Sequence, residues 1–89
     1  MHIEYDPTKR DATLSARDLD MARSAEVWNG PNVTIPDTRR DYGEARFMTV
    51  GCLSARMVVL IWTPRGDTRR IISLRKANAR EQAAFGSSL

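Results

Sequence analysis

Eight arginines, Arg39, Arg40, Arg46, Arg56, Arg65, Arg69, Arg70 and Arg75, lie between positions 39 and 75 of this chain. A guanidinium offers a planar fork of donors that matches phosphate or carboxylate, whereas an ammonium acts as a point charge. Arginine outnumbers lysine twelve to two, so the chemistry on offer is anion recognition, phosphate first. Among these cations stand Glu44 and, near the start, Lys9, either of which could move a proton if its surroundings shift its pKa. Tyr42, beside Arg39-Arg40, offers a ring for stacking on a base. The bland readings are equally concrete. Arg39-Arg40 and Arg69-Arg70 suit solvated loop and edge-strand charges. Glu44 suits an ion pair with Arg46, and Tyr42 suits cover for arginine stems. Arg75 stands at the opening of a helix, where a cation opposes the dipole and a bound anion would explain it.

Other chemistries are excluded by what is missing. His2 is the one histidine and Cys52 the one cysteine, so no intrachain disulfide and no cysteine-based zinc site can form. There is no Gly-rich phosphate loop, acidic metal cluster or nucleophile–histidine pair, and no cofactor is expected. Charge is sorted along the chain: residues 1–37 carry net −3 and residues 38–80 net +7, closing at +3 with Glu81. An arginine-rich genome would raise arginine everywhere but would not sort it.

The elements that must position these groups follow from pattern. At 89 residues the chain is one domain with one modest core, 1–89. The N-terminus lacks a basic start followed by an apolar stretch, and the longest apolar run, Met57 to Trp62, is too short to span a membrane. A soluble cytoplasmic protein with no membrane partner is expected. His2 to Tyr5 alternates as a short strand. Asp6-Pro7 is an N-cap followed by Pro at the first helical position, opening a helix to about Ser15. Asp18 or Asp20 caps a second helix, with Met21, Ala25 and Trp28, or Leu19, Ala22 and Val27, as its apolar stripe. Asn29-Gly30-Pro31 stops it.

Period two then takes over. Val33 to Ile35 and Ala45 to Leu53 read as strands, and Met57 to Trp62, apolar on both faces, as the central one. Pro64 to Asp67 has hairpin chemistry, Arg69 to Leu74 is a further strand, and Asn78 caps a last helix to about Phe85. Trp28 and Trp62 are assigned to the core and Cys52 to a buried position. The predicted class is α+β, an antiparallel sheet packed against N-terminal helices with a C-terminal helix, order βααββββα.

Three segments together carry a family resemblance: Tyr5-Asp6-Pro7-x-Lys9, Gly43-Glu44-x-Arg46-Phe47, and Arg70-Ile71-Ile72-Ser73-Leu74-Arg75-Lys76-Ala77-Asn78-Ala79-Arg80-Glu81. The chain resembles the BrnT toxins, ribonucleases of type II toxin–antitoxin systems. The resemblance implies a RelE-like fold, endoribonuclease activity that inhibits translation, and a BrnA-like ribbon-helix-helix antitoxin. That antitoxin would join the toxin as a heterotetramer and supply all operator-DNA binding. One departure stands out: where the family usually has Lys-His-Gly after the first helix, this chain has Ala16-Arg17-Asp18. Metal-independent RNA cleavage without histidine leaves the work to carboxylate, tyrosine, lysine and arginine. Arg46 and Arg75, at matched positions, are the expected phosphate-binding and transition-state-stabilising groups, with Glu44 or Lys9 as base or acid. Arg65, Arg70, Arg39, Arg40 and Tyr42 are expected to bind RNA. A different class remains open: a basic module that binds RNA or an acidic peptide without cutting it.

Overall fold

A computed structural model describes all of residues 1–89. Asp6 caps the first helix, α1 (Pro7–Arg17), its carboxylate accepting the Thr8 and Lys9 amides. The helix ends on Asp18 in the left-handed conformation, φ 56°, with its N–H on the Leu14 carbonyl. Asp adopts this geometry more readily than most side chains, and it stands where the family glycine is expected. The second predicted helix is divided. Asp20 caps a 3-10 turn (Met21–Arg23), and a five-residue helix, α2 (Ala25–Asn29), follows. The buried Ser24 hydroxyl donates to the Met21 carbonyl at the junction. The tighter turn changes the phase, so Leu19, Met21 and Val27 are the residues buried, matching neither predicted stripe completely.

Five strands form one sheet: β1 (His2–Glu4), β2 (Val33–Pro36), β3 (Phe47–Leu53), β4 (Arg56–Arg65) and β5 (Thr68–Lys76), in spatial order β1-β5-β4-β3-β2. Strands β2 to β5 are joined antiparallel, but β1 lies parallel to β5, so the sheet is mixed and not antiparallel throughout as expected. The reason lies in the connections. Hairpins force reversal from β3 to β5, whereas β1 leaves through helices and nothing obliges it to oppose its neighbour.

Helices cover both faces. On one, α1, the 3-10 turn and α2 bury Leu19, Met21 and Val27 against Val58, Leu60, Trp62, Ile71 and Leu74. On the other, Val50, Val59, Ile61 and Ala77 pack beneath Phe85 and Leu89, at the end of α3 (Ala79–Phe85) and beyond it. Strand β4 supplies both cores, as its two-faced apolar run requires. Trp62 is held by a 5.0 Å stack on Phe47, a T-shaped contact with Trp28, and an indole hydrogen bond to Thr49 Oγ1 at 2.8 Å. Arg69 lies over both tryptophans, 4.6 Å from Trp28 and 4.7 Å from Trp62, instead of in solvent. Cys52 is exposed, correcting its assignment to the interior; it lies on the same side of β3 as Val50, near the strand's end.

Each open edge of the sheet is blunted. β1 covers β5 only as far as Arg70. Beyond it, a bulge leaves Ile72 without a partner on β4, and Lys9 Nζ donates to the Ile72 carbonyl at 2.6 Å. Arg17 Nη1 takes the Leu74 carbonyl at 2.9 Å. Two cations of α1 thus satisfy acceptors that would otherwise invite another strand. On the opposite edge, the Asp37 N–H donates to the Arg46 carbonyl at 2.8 Å. By ladder alternation the amides of 33, 35 and 37 point inward, and Pro36, which has no N–H, faces out.

Candidate functional site

The ten-residue connection 37–46 between β2 and β3 wraps the end of the sheet and forms two adjoining cavities that share Pro36, Asp37 and Thr38. The larger, about 450 Å³, is lined by Arg40, Asp41, Tyr42, Glu44 and Arg46 over Phe47. The smaller, about 210 Å³, lies between Ile35, Met48, Arg39, Arg75 and Glu81. Gly43, at φ +73°, makes the turn, with its N–H on Asp41 Oδ1 at 2.9 Å.

Two of the arginines are locked to carboxylates. Arg39 forks onto Asp37 through Nε and Nη2 at 2.8 and 2.9 Å, and the Asp37 side chain is only 3% exposed. The Arg39 hydrogen bonds, helped by the nearby Arg46 charge, hold the Asp37 carboxyl below its ordinary range despite burial. Arg75 forks onto Glu81 at 2.7 and 2.8 Å, and this likewise lowers the Glu81 carboxyl. Glu81 also closes a capping box with Asn78 at the start of α3. Arg75 therefore does not open the helix as expected. It lies in β5 (Thr68–Lys76), because the strand runs on past Leu74, and its charge is neutralised by the third residue of α3.

Two other arginines are not locked. The Arg46 guanidinium stacks 3.9 Å above the Tyr42 ring, and its buried Nε has no acceptor. Arg40 lies 5.2 Å from the same ring. Neither forms an ion pair. Glu44 does not pair with Arg46; its nearest cation is Arg65, at 3.6 Å, and its side chain is 39% exposed.

The expected residues thus separate. Arg39, Arg40, Tyr42, Glu44, Arg46 and Arg75 converge on the two cavities, with Arg65 at their margin through Glu44. Lys9 and Arg70 line neither. Lys9 is committed to the β5 bulge, and Arg70 lies by the β1 edge, 3.6 Å from Glu4. Reading the sequence did not single out Asp37, Asp41 or Glu81. The Asp37-x-Arg39 spacing at a strand end was the available signal for the first, and the Asn78-x-x-Glu81 box for the last. No three His, Cys, Asp or Glu side chains are grouped closely enough to hold a metal ion. No helix is long and apolar enough to cross a membrane.

The ion pairs set a pH window for stability. Asp20, held by Arg10 through two bonds of 2.8 and 2.9 Å, is lowered to about 2. Asp37 and Glu81 are lowered as well. Carboxyls lowered in the folded state contribute stability that is complete above their unfolded pKa, about 4, and is lost as pH falls through the folded values. The thermal midpoint should therefore stay level from pH 7 to about 5 and fall steadily below about 4. A midpoint unchanged down to pH 2.5 would contradict these pairings.

Compared with known proteins, the chain matches no individual curated sequence. Its residues 5–81, nearly the whole length, match the family model described as "Ribonuclease toxin, BrnT, of type II toxin-antitoxin system". That span includes both cavities and every residue that lines them, and on this match the chain belongs to the BrnT family of ribonuclease toxins.

Proposed function

We propose that this chain is a metal-independent endoribonuclease whose active site is the paired cavity beside β2. The observation that carries this reading is the contrast among its arginines. Arg39 and Arg75 are fixed by carboxylates, while Arg40 and Arg46 stand beside Tyr42 with no carboxylate partner. A polyanion brought to this wall meets two uncommitted guanidiniums, Arg46 for the reacting phosphate and Arg40 for the nucleotide beside it. Preorganised charge of this kind stabilises a developing phosphorane. In this mechanism Glu44 takes the proton of the 2′-hydroxyl. The 2′-oxygen attacks phosphorus, the bond from phosphorus to the 5′-oxygen breaks, and the leaving oxygen takes a proton from water while Glu44 releases its own to solvent. Arg46 and Arg75 flank the phosphate, Arg39 and Arg65 hold the neighbouring backbone, and Arg40 and Tyr42 contact the adjoining nucleotide. Lys9 has a structural task at the β5 edge, and Arg70 lies outside the reacting group. Arg17, at the family's histidine position, is bonded to Leu74 and lines neither cavity, which supports chemistry that does not pass through that position.

The product chemistry tests this directly. Purified protein incubated with bulk RNA and EDTA should yield 2′,3′-cyclic phosphate or 3′-phosphate ends with 5′-hydroxyls. Cleavage abolished by EDTA and restored by magnesium would refute it. Such an enzyme inhibits translation and needs an inhibitor when idle. The corresponding partner is a BrnA-like antitoxin whose acidic side chains cover Arg46, Arg65 and Arg75 in a heterotetramer, with operator DNA bound by the antitoxin alone.

A further inference from the structure

We propose that the larger cavity is a guanine-binding subsite, read by Asp41 and Arg40; this rests on the ribonuclease reading and adds a base preference to it. Three consecutive loop residues, Arg40, Asp41 and Tyr42, line a space of about 450 Å³, within the range of small-ligand sites, roughly 300–1,000 Å³. Asp41 accepts one hydrogen bond, from the Gly43 amide to Oδ1, and its other oxygen accepts none. Arg40 makes no hydrogen bond or ion pair within the protein and approaches the Tyr42 ring at 5.2 Å. The cavity is therefore lined by an exposed carboxylate oxygen and an exposed guanidinium that no protein group engages, beside an aromatic ring and a stacked guanidinium, Arg46.

Guanine is the base that answers both. Its N1–H and N2 amine form a pair of adjacent donors that a carboxylate can accept, and its O6 and N7 form the acceptor pair that an arginine fork matches. Adenine sets the N1 lone pair against the carboxylate, cytosine sets N3 there, and uracil flanks its N3–H with two carbonyl oxygens. Each leaves repulsion where guanine makes a bond. Base stacking on Tyr42 or on the Arg46 plane is tolerant of all four and adds affinity without choice.

The test is a titration of ¹⁵N-labelled protein with guanosine, inosine, adenosine, cytidine and uridine 3′-monophosphates, followed by amide shifts. Guanosine 3′-monophosphate should shift amides within residues 40–46 and bind on the order of tenfold more tightly than the adenosine compound, the scale of one bidentate base contact. Inosine, which lacks the N2 amine, should fall between them. Asp41→Asn should remove the guanosine advantage while the amide spectrum away from the loop stays unchanged. Equal affinity for all five nucleotides, shifts confined to another surface, or an Asp41→Asn variant that still prefers guanosine would each overturn the proposal. Bulk-RNA cleavage measured alongside separates the two readings. Cleavage with indifferent nucleotide binding removes the subsite alone, and guanosine-selective binding without cleavage keeps the subsite and removes the nuclease.

Discussion

Replacing Arg46 with Ala is expected to lower RNA cleavage by about 10²- to 10³-fold, the loss that follows removal of one preorganised donor from a developing oxyanion. Arg46 is the sharpest choice because it makes no ion pair, so its removal leaves no carboxylate unpaired. Its unfolding midpoint should change little. Arg46→Lys keeps the charge but loses the plane that lies 3.9 Å from Tyr42, and should recover only part of the rate. Arg75→Ala differs in kind. It removes a guanidinium from the smaller cavity and also deprives Glu81, 15% exposed, of its fork, so rate and stability should fall together. Single-turnover cleavage and thermal unfolding measured on all three variants separate these cases. Near-wild-type cleavage by both alanine variants would show that the cavities are not the catalytic site.

Gly51→Ala is expected to destabilise the fold by about 1–3 kcal/mol, the usual range for overpacking a filled core. A Cβ at this position would stand 2.6 Å from Val27 Cγ1, 3.3 Å from Asn32 Cβ and 3.4 Å from the Pro31 carbonyl oxygen. The glycine is what lets α2 and its exit loop lie directly on β3. Relief must come from a shift of that helix, because Val27 is buried and cannot swing into solvent. Urea denaturation measures the loss. A Gly51→Ala, Val27→Ala double variant should be less destabilised than the sum of its parts, since deleting the valine methyl groups returns the space. Additive losses, or an unchanged midpoint in Gly51→Ala, would mean the contact is not restrictive.

Much of this architecture can be read from neighbours in the chain. Asp6-Pro7 and Asn78 start helices because a side-chain acceptor reaches amides two or three residues on, whatever the rest of the protein does. The run Met57 to Trp62 must be central because apolar side chains on both faces need cover on both. Gly66 turns the β4–β5 hairpin at φ +59° because only its own backbone is involved. The sorting of arginines into the second half is likewise written in order, and Arg39, Arg40, Tyr42, Glu44 and Arg46 meet because one connection carries them all.

What the order of residues leaves open is decided by which distant groups meet. The direction of β1, the change of helical phase at Ser24 and the exposure of Cys52 depend on how the helices pack across the sheet. Lys9 has the residue type of a catalytic group, yet it serves the Ile72 carbonyl because a bulge sixty-three positions away left that acceptor open. Glu81 belongs to a legible capping box, but its second partner, Arg75, became bound only when α3 folded back from the end of β5. Which arginines are neutralised and which stay free for a ligand is therefore a tertiary outcome. A guanidinium's availability depends on the carboxylates within about 4 Å of it, where the Coulomb attraction and the hydrogen bonds are strong, and sequence alone does not give distances at that scale.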